Sequence, residues 1–234
     1  MNHTREKAAI NAYLKLLQAK GASGAVLYKR SLFLDQLNIA LAGKLLDGNE
    51  YRVVIEAVME TTPAEDWHEN LTAAREFYPF WLENIKAIAA LNVNPGFDVK
   101  PGYWKPLQVT LKELWNGLEK EPFDTSENWP LKAYAQALRY EGAEQSLVDV
   151  RIKLAKVILI RLRDAPEKNN KAYRTAVDLT LPLFNIKHNR SLFLVVVREF
   201  YYFWTGNPDA ASKVFQDDTA NLLHNFLVDN PNLR

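Results

Sequence analysis

A chain of 234 residues, 48% apolar and 24% charged, has ordinary globular composition and length for one large domain or two closely packed halves, which excludes disorder. Its net charge of +1 supplies no global field toward nucleic acid or membrane, and the absence of cysteine excludes disulfides and thiol catalysis. The polar opening Met-Asn-His-Thr-Arg-Glu-Lys does not read as a signal peptide. The longest uncharged apolar stretch, near 192–197, falls short of the ~20 residues that cross a bilayer, so a cytoplasmic protein without membrane insertion is expected.

Helical spacing runs through the chain and strict alternation is scarce. Ala9, Tyr13, Leu16 and Leu17 predict a helix over 5–20, followed by helices over 24–46 and 49–61. Thr62-Pro63-Ala64-Glu65-Asp66 has the cap, first-turn proline and early acids of a helix start. That helix is predicted to reach Leu91, kinked by the missing amide donor of Pro79. Pro95, Gly96, Pro101, Gly102 and Pro106 then interrupt the pattern, and Phe97, Tyr103 and Trp104 predict that this 92–106 connector is ordered. A short helix over 106–118 precedes a polar turn at Asp124-Thr125-Ser126. Helices follow at 129–141, 143–164, 166–181, 188–205 and 208–228. The prediction is all-α, built of stacked antiparallel helical hairpins as a right-handed repeat-like array or an irregular multi-helix bundle. Halves 1–91 and 107–234 would flank the connector within one compact domain.

Several strings recur. Gly followed by Ala or Asn separates helical segments at Gly21, Gly48, Gly142 and Gly206, four of the nine glycines, where a left-handed residue would close a helix. Asn11-Ala12-Tyr13-x3-Leu17-x3-Gly21-Ala22-x7-Arg30 matches Lys132-Ala133-Tyr134-x3-Leu138-x3-Gly142-Ala143-x7-Arg151. Arg-Ser-Leu-Phe-Leu occurs at 30–34 and 190–194, and Arg-Glu-Phe-Tyr-x-Phe-Trp at 75–81 and 198–204. The unequal distances between these pairs argue against one clean duplication. Tyr202-Phe203-Trp204-Thr205-Gly206-Asn207 followed by Ala211-x3-Phe215 resembles the middle of a tetratricopeptide repeat. The resemblance implies α-hairpin packing and a protein-binding scaffold.

Arg30, Arg151 and Arg190 each fall in the middle of an apolar stripe, where a guanidinium must be paired. Structural pairing is the favoured reading, and a groove for an acidic ligand the competing one. Residues 139–198 hold 12 Lys/Arg against 6 Asp/Glu, with Lys153, Lys156 and Arg163 on one helix and Lys168 and Lys171 on the next. A solvated face is the simpler account, and nucleic-acid backbone the alternative. The connector contributes Lys100, Tyr103, Trp104 and Lys105 as candidate binding residues. His3, His68, His188 and His224 show no ligand spacing, and no phosphate loop or nucleophile elbow occurs, so no catalytic residue, cofactor or metal is assigned. Glu119, Glu121, Asp124 and Glu127 read as solvated charge. The expected function is a scaffold or adaptor that binds another protein. The alternatives are nucleic-acid association through 139–198, and an all-α enzyme or small-ligand binder beside the connector.

Overall fold

The computed structural model describes residues 3–93, 104–106, 108–214, 225, 226 and 228. Among these residues there are ten α-helices and no strand, so the fold is all-α. The chain divides into two compact units, Met1–Tyr103 and Trp104–Arg234. The first holds α1 (His3–Ala19), α2 (Gly24–Leu41), α3 (Gly48–Glu60), α4 (Trp67–Trp81) and α5 (Ile85–Val93). The second holds α6 (Leu111–Gly117), α7 (Thr125–Tyr140), α8 (Gln145–Leu162), α9 (Asn170–Thr180) and α10 (Lys187–Trp204).

In the first unit α1, α2 and α4 pack on one another and α3 closes against α2 and α4. Their shared core contains Tyr13, Leu17, Leu34, Leu37, Phe77 and Trp81, all essentially inaccessible. In the second unit α10 packs on α7 and α8, while α9 and α6 pack on α8. Burial of large apolar side chains supplies about 1.5–3 kcal/mol each, which is what lets these helices persist at 7 to 18 residues.

Helix ends account for much of the register. Gly21, Gly142 and Gly206 adopt φ of 85°, 83° and 67°. At each, the next residue's amide reaches back five positions: Ala22 to Leu17, Ala143 to Leu138 and Asn207 to Tyr202, at 3.0, 3.0 and 2.9 Å. This closes the terminal carbonyls that a helix leaves without partners. Gly48 departs from the expectation. It opens α3 behind the Asp47 cap, and Gly43 (φ 75°) is the left-handed residue after α2. The helix expected over 24–46 therefore stops at Leu41.

The helix expected over 62–91 is two helices. Pro79 lies within α4, which ends at Trp81, and the turn is closed by Asn84 donating to the Pro79 carbonyl at 2.9 Å. Glu83, at φ 54°, fills the left-handed position that glycine holds elsewhere. Helix α7 starts at Thr125 rather than 129, because Asp124 and Glu127 form a reciprocal capping box ahead of Pro130. Helix α9 starts at Asn170 behind the Asn169 cap rather than at 166. A second capping box, Thr110 with Glu113, starts α6. In place of the start of a helix over 208–228, Ala210–Lys213 forms a 3-10 turn and Val214 is extended. Residues 215–224 lie outside the described residues.

Candidate functional site

The recurring strings of the sequence meet in space, once in each unit. In the first unit Tyr13 Oη donates to Glu76 Oε2 at 2.8 Å, and Arg30 Nη1 donates to Tyr13 Oη and to Glu76 Oε2 at 2.6 and 2.5 Å. In the second, Tyr134 Oη and Arg151 Nη1 donate to Glu199 Oε2 at 2.5 and 2.7 Å. Arg30 and Arg151 are each the seventh residue of an 18-residue helix. Glu76 and Glu199 each stand five residues before the tryptophan that ends α4 and α10. The second triad is the more enclosed: the Arg151 and Glu199 side chains are both 1% exposed, against 2% and 13% for Arg30 and Glu76.

The paired aromatic strings serve the same geometry. Tyr13 packs on Phe77 and Phe80, and Tyr134 on Phe200 and Phe203. Tyr51 of α3 packs on Tyr78 and Trp81, and Tyr173 of α9 on Tyr201 and Trp204. Tyr51 and Tyr173 each donate to a carbonyl of the final long helix, Ala74 and Val197, at 2.7 Å. Burial, then the neighbouring Glu76 or Glu199 carboxylate, pushes the Tyr13 and Tyr134 hydroxyls well above the usual tyrosine range, so both remain donors. Burial would lower the Arg30 guanidinium, yet Tyr13 and Glu76 together hold it above its ordinary value. These are closed structural centres, with no access for a substrate to the second.

The Arg-Ser-Leu-Phe-Leu strings occupy different places, one within α2 and one near the start of α10, so their spacing carries no information about duplication. This also corrects Arg190, which is half-exposed rather than buried. It donates to the Phe184 and Asn185 carbonyls at 2.9 and 3.2 Å, covering the turn before α10. The arginine that sequence reasoning passed over is Arg161, buried on α8 and donating to Thr180 Oγ1 and the Leu179 carbonyl. Burial lowers its pKa. Its place between apolar neighbours gave the same signal as the others.

Of the cations singled out on the basic face, Lys153, Lys156 and Arg163 are engaged in packing. Arg163 donates to Glu121, Glu127 and the Pro122 carbonyl, at 2.5 to 3.2 Å, and lies over the Phe123 ring. Lys156 also sits over Phe123, and Lys153 over Trp115 of α6. Glu121, Asp124 and Glu127 are therefore capping and pairing groups, not merely solvated charge. Lys168 and Lys171 are exposed. Of the connector residues, Lys100 and Tyr103 lie outside the described residues, Trp104 is half-buried and Lys105 exposed. Residues 92 and 93 belong to α5.

The second unit also has an open, mostly apolar surface beside α7. A groove of about 570 Å³ lies between α7 and the turn after α10. Trp129 and Tyr140, 71% and 89% exposed, stand at opposite ends of its α7 wall. Ala133, Ala137, Ala210 and Ala211 line it with small side chains, Pro130, Phe203 and Pro208 add apolar surface, and Gln136, Glu141 and Asn207 supply polar groups. At the corresponding α1 positions the first unit has Ala8 and Ala19, so the aromatic posts are particular to the second. Among the described residues no helix is long and apolar enough to cross a membrane, and no group of three acids or histidines could hold a metal ion. No family model, no curated protein and no solved structure matches this chain.

Proposed function

We propose that the chain is two tandem copies of a four-helix module, and that it binds another protein through the groove of the second copy. The tandem reading is supported by the two tyrosine–arginine–glutamate triads and the two aromatic sets, which join corresponding helix positions. The binding reading rests on one observation. Two large aromatic side chains, Trp129 and Tyr140, stand exposed at either end of a groove lined mostly by apolar side chains. Rigid aromatics that lose little entropy on burial are the residue types that anchor protein interfaces. Helix α7 spans about 16 Å between the two posts at ~1.5 Å per residue. An apolar segment of a partner, two to three helical turns long, fits that span.

The test isolates a protein captured from the native cell and titrates it, purified, against wild type and the Trp129→Ala/Tyr140→Ala variant. At least tenfold weaker binding is expected, with the variant's melting temperature unchanged because both side chains are exposed. Equal affinity of the two proteins for the partner contradicts the proposal.

A further inference from the structure

The two modules differ in how the outer face of their second helix is finished. In α8 that face is covered: α6 packs on it, placing Trp115 over Lys153, and Phe123 lies over Lys156. Trp115 is only 6% exposed there and also meets Phe226. Lys153 and Lys156 are the ninth and twelfth residues of α8, and their counterparts in α2 are Leu32 and Asp35. Around them Tyr28 and Ile39 complete a stripe at i, i+4, i+7 and i+11, within about 60° of one another at 100° per residue. That stripe is opposite the buried Arg30, Phe33, Leu37 and Leu41. Tyr28, Leu32 and Ile39 are 65%, 48% and 71% exposed. Helix α2 thus has two apolar faces, one turned to the core and one open where its counterpart carries a helix.

We infer that this outer stripe of α2 docks an amphipathic helix of another protein, one bearing a large aromatic flanked by leucines and a basic residue that meets Asp35. The covering of α8 supplies the template. Trp115, with Leu114 and Leu118, buries itself over the position that Leu32 holds in α2. Substituting Leu32 for Lys153 leaves a more apolar seat for such a side chain. Tyr28 to Ile39 spans about 16 Å, three turns of a partner helix. Nearby cations already face acids, Lys29 beside Asp66 and Glu69 and Lys44 beside Glu50. Apolar contact and the charge of Asp35 therefore select the partner. The inference rests on the tandem reading of the two units and does not depend on the α7 groove.

The probe is a synthetic, end-capped peptide with the sequence of residues 108–120, the segment that covers α8. It is titrated into the full chain carrying methyl labels on Leu and Ile. The expected result is saturable shifts of the Leu32 and Ile39 methyls, at least tenfold weaker for Leu32→Glu/Ile39→Glu and for a peptide lacking its tryptophan. The Trp129→Ala/Tyr140→Ala variant is expected to bind the peptide as wild type does, which keeps the two sites distinguishable. No saturable shift at these methyls up to millimolar peptide, or equal binding by the Glu variant, overturns the inference. Sedimentation of the protein alone showing a dimer dispersed by Leu32→Glu overturns it in favour of a second copy as the occupant.

Discussion

Removing Glu199 puts the buried triads to the sharpest test. Glu199→Ala leaves the Arg151 guanidinium, 1% exposed, without the carboxylate oxygen it shares with Tyr134. Breaking one side of a buried pair costs about 3–5 kcal/mol, because the remaining charge stays desolvated. Glu76→Ala is expected to cost less, about 1–3 kcal/mol, because its site is 13% exposed and water reaches the vacated position. Urea unfolding gives the total loss. Hydrogen exchange of α7, α8 and α10 against α1, α2 and α4 assigns it to a unit. Arg151→Met is expected to be milder than Arg151→Ala, since it fills most of the vacated volume. The double variant Arg151→Met/Glu199→Gln is expected to be less damaging than the sum of its single changes, because no unpaired charge remains. A loss below about 1 kcal/mol for Glu199→Ala, or equal losses for Glu76→Ala and Glu199→Ala, would refute this account of what burial does to the pair.

Two further expectations concern helix ends. Glu83→Gly relieves a left-handed backbone that Gly206 adopts freely at the corresponding turn, and is expected to raise stability by about 0.5–1 kcal/mol. Gly206→Ala is expected to lower it by a similar amount, and thermal melts showing the opposite signs would discredit the strain. The hydrogen bond from Ser126 and the Glu127 amide hold the Asp124 carboxyl below the usual carboxylate range. A depressed folded-state pKa means that its cap contributes fully above about pH 3.9 and is lost as pH falls through the folded value. The stability gap between wild type and Asp124→Asn should therefore close in that acid window, and a gap constant from pH 7 to 2 would show that the charge does not matter.

Much of the architecture was legible in the sequence because local chemistry dictates it. Glycines that must be left-handed placed three helix ends, and apolar periodicity placed the helices between them. The components of both triads lay in view: Tyr13 and Arg30 in one recurring segment, Glu76 in another. Their meeting was hidden, because periodicity assigns a residue to a face without naming what lies opposite. The unequal spacing of the Arg-Ser-Leu-Phe-Leu strings misdirected the reading, since those strings lie at unrelated helix positions. Glu83 concealed the end of α4, because a glutamate gives no signal of a left-handed turn. The basic face read as open charge because Phe123 and Glu121 of the turn before α7 and Glu127 of its first turn, which engage Arg163, lie some 40 residues earlier. The groove was illegible for a related reason. Trp129 and Tyr140 look like core residues until the small side chains between them are seen to leave a channel.

The most direct measurement of the binding claim places a photo-activatable phenylalanine analogue at Gln136, an exposed residue lining the groove, and at Lys132, an exposed residue of the same helix that does not line it. Irradiation in the native cell is predicted to yield a discrete protein adduct from position 136, absent from position 132 and lost on Trp129→Ala/Tyr140→Ala. No adduct at 136, or the same adducts from both positions, would contradict the assignment of the groove as the binding surface.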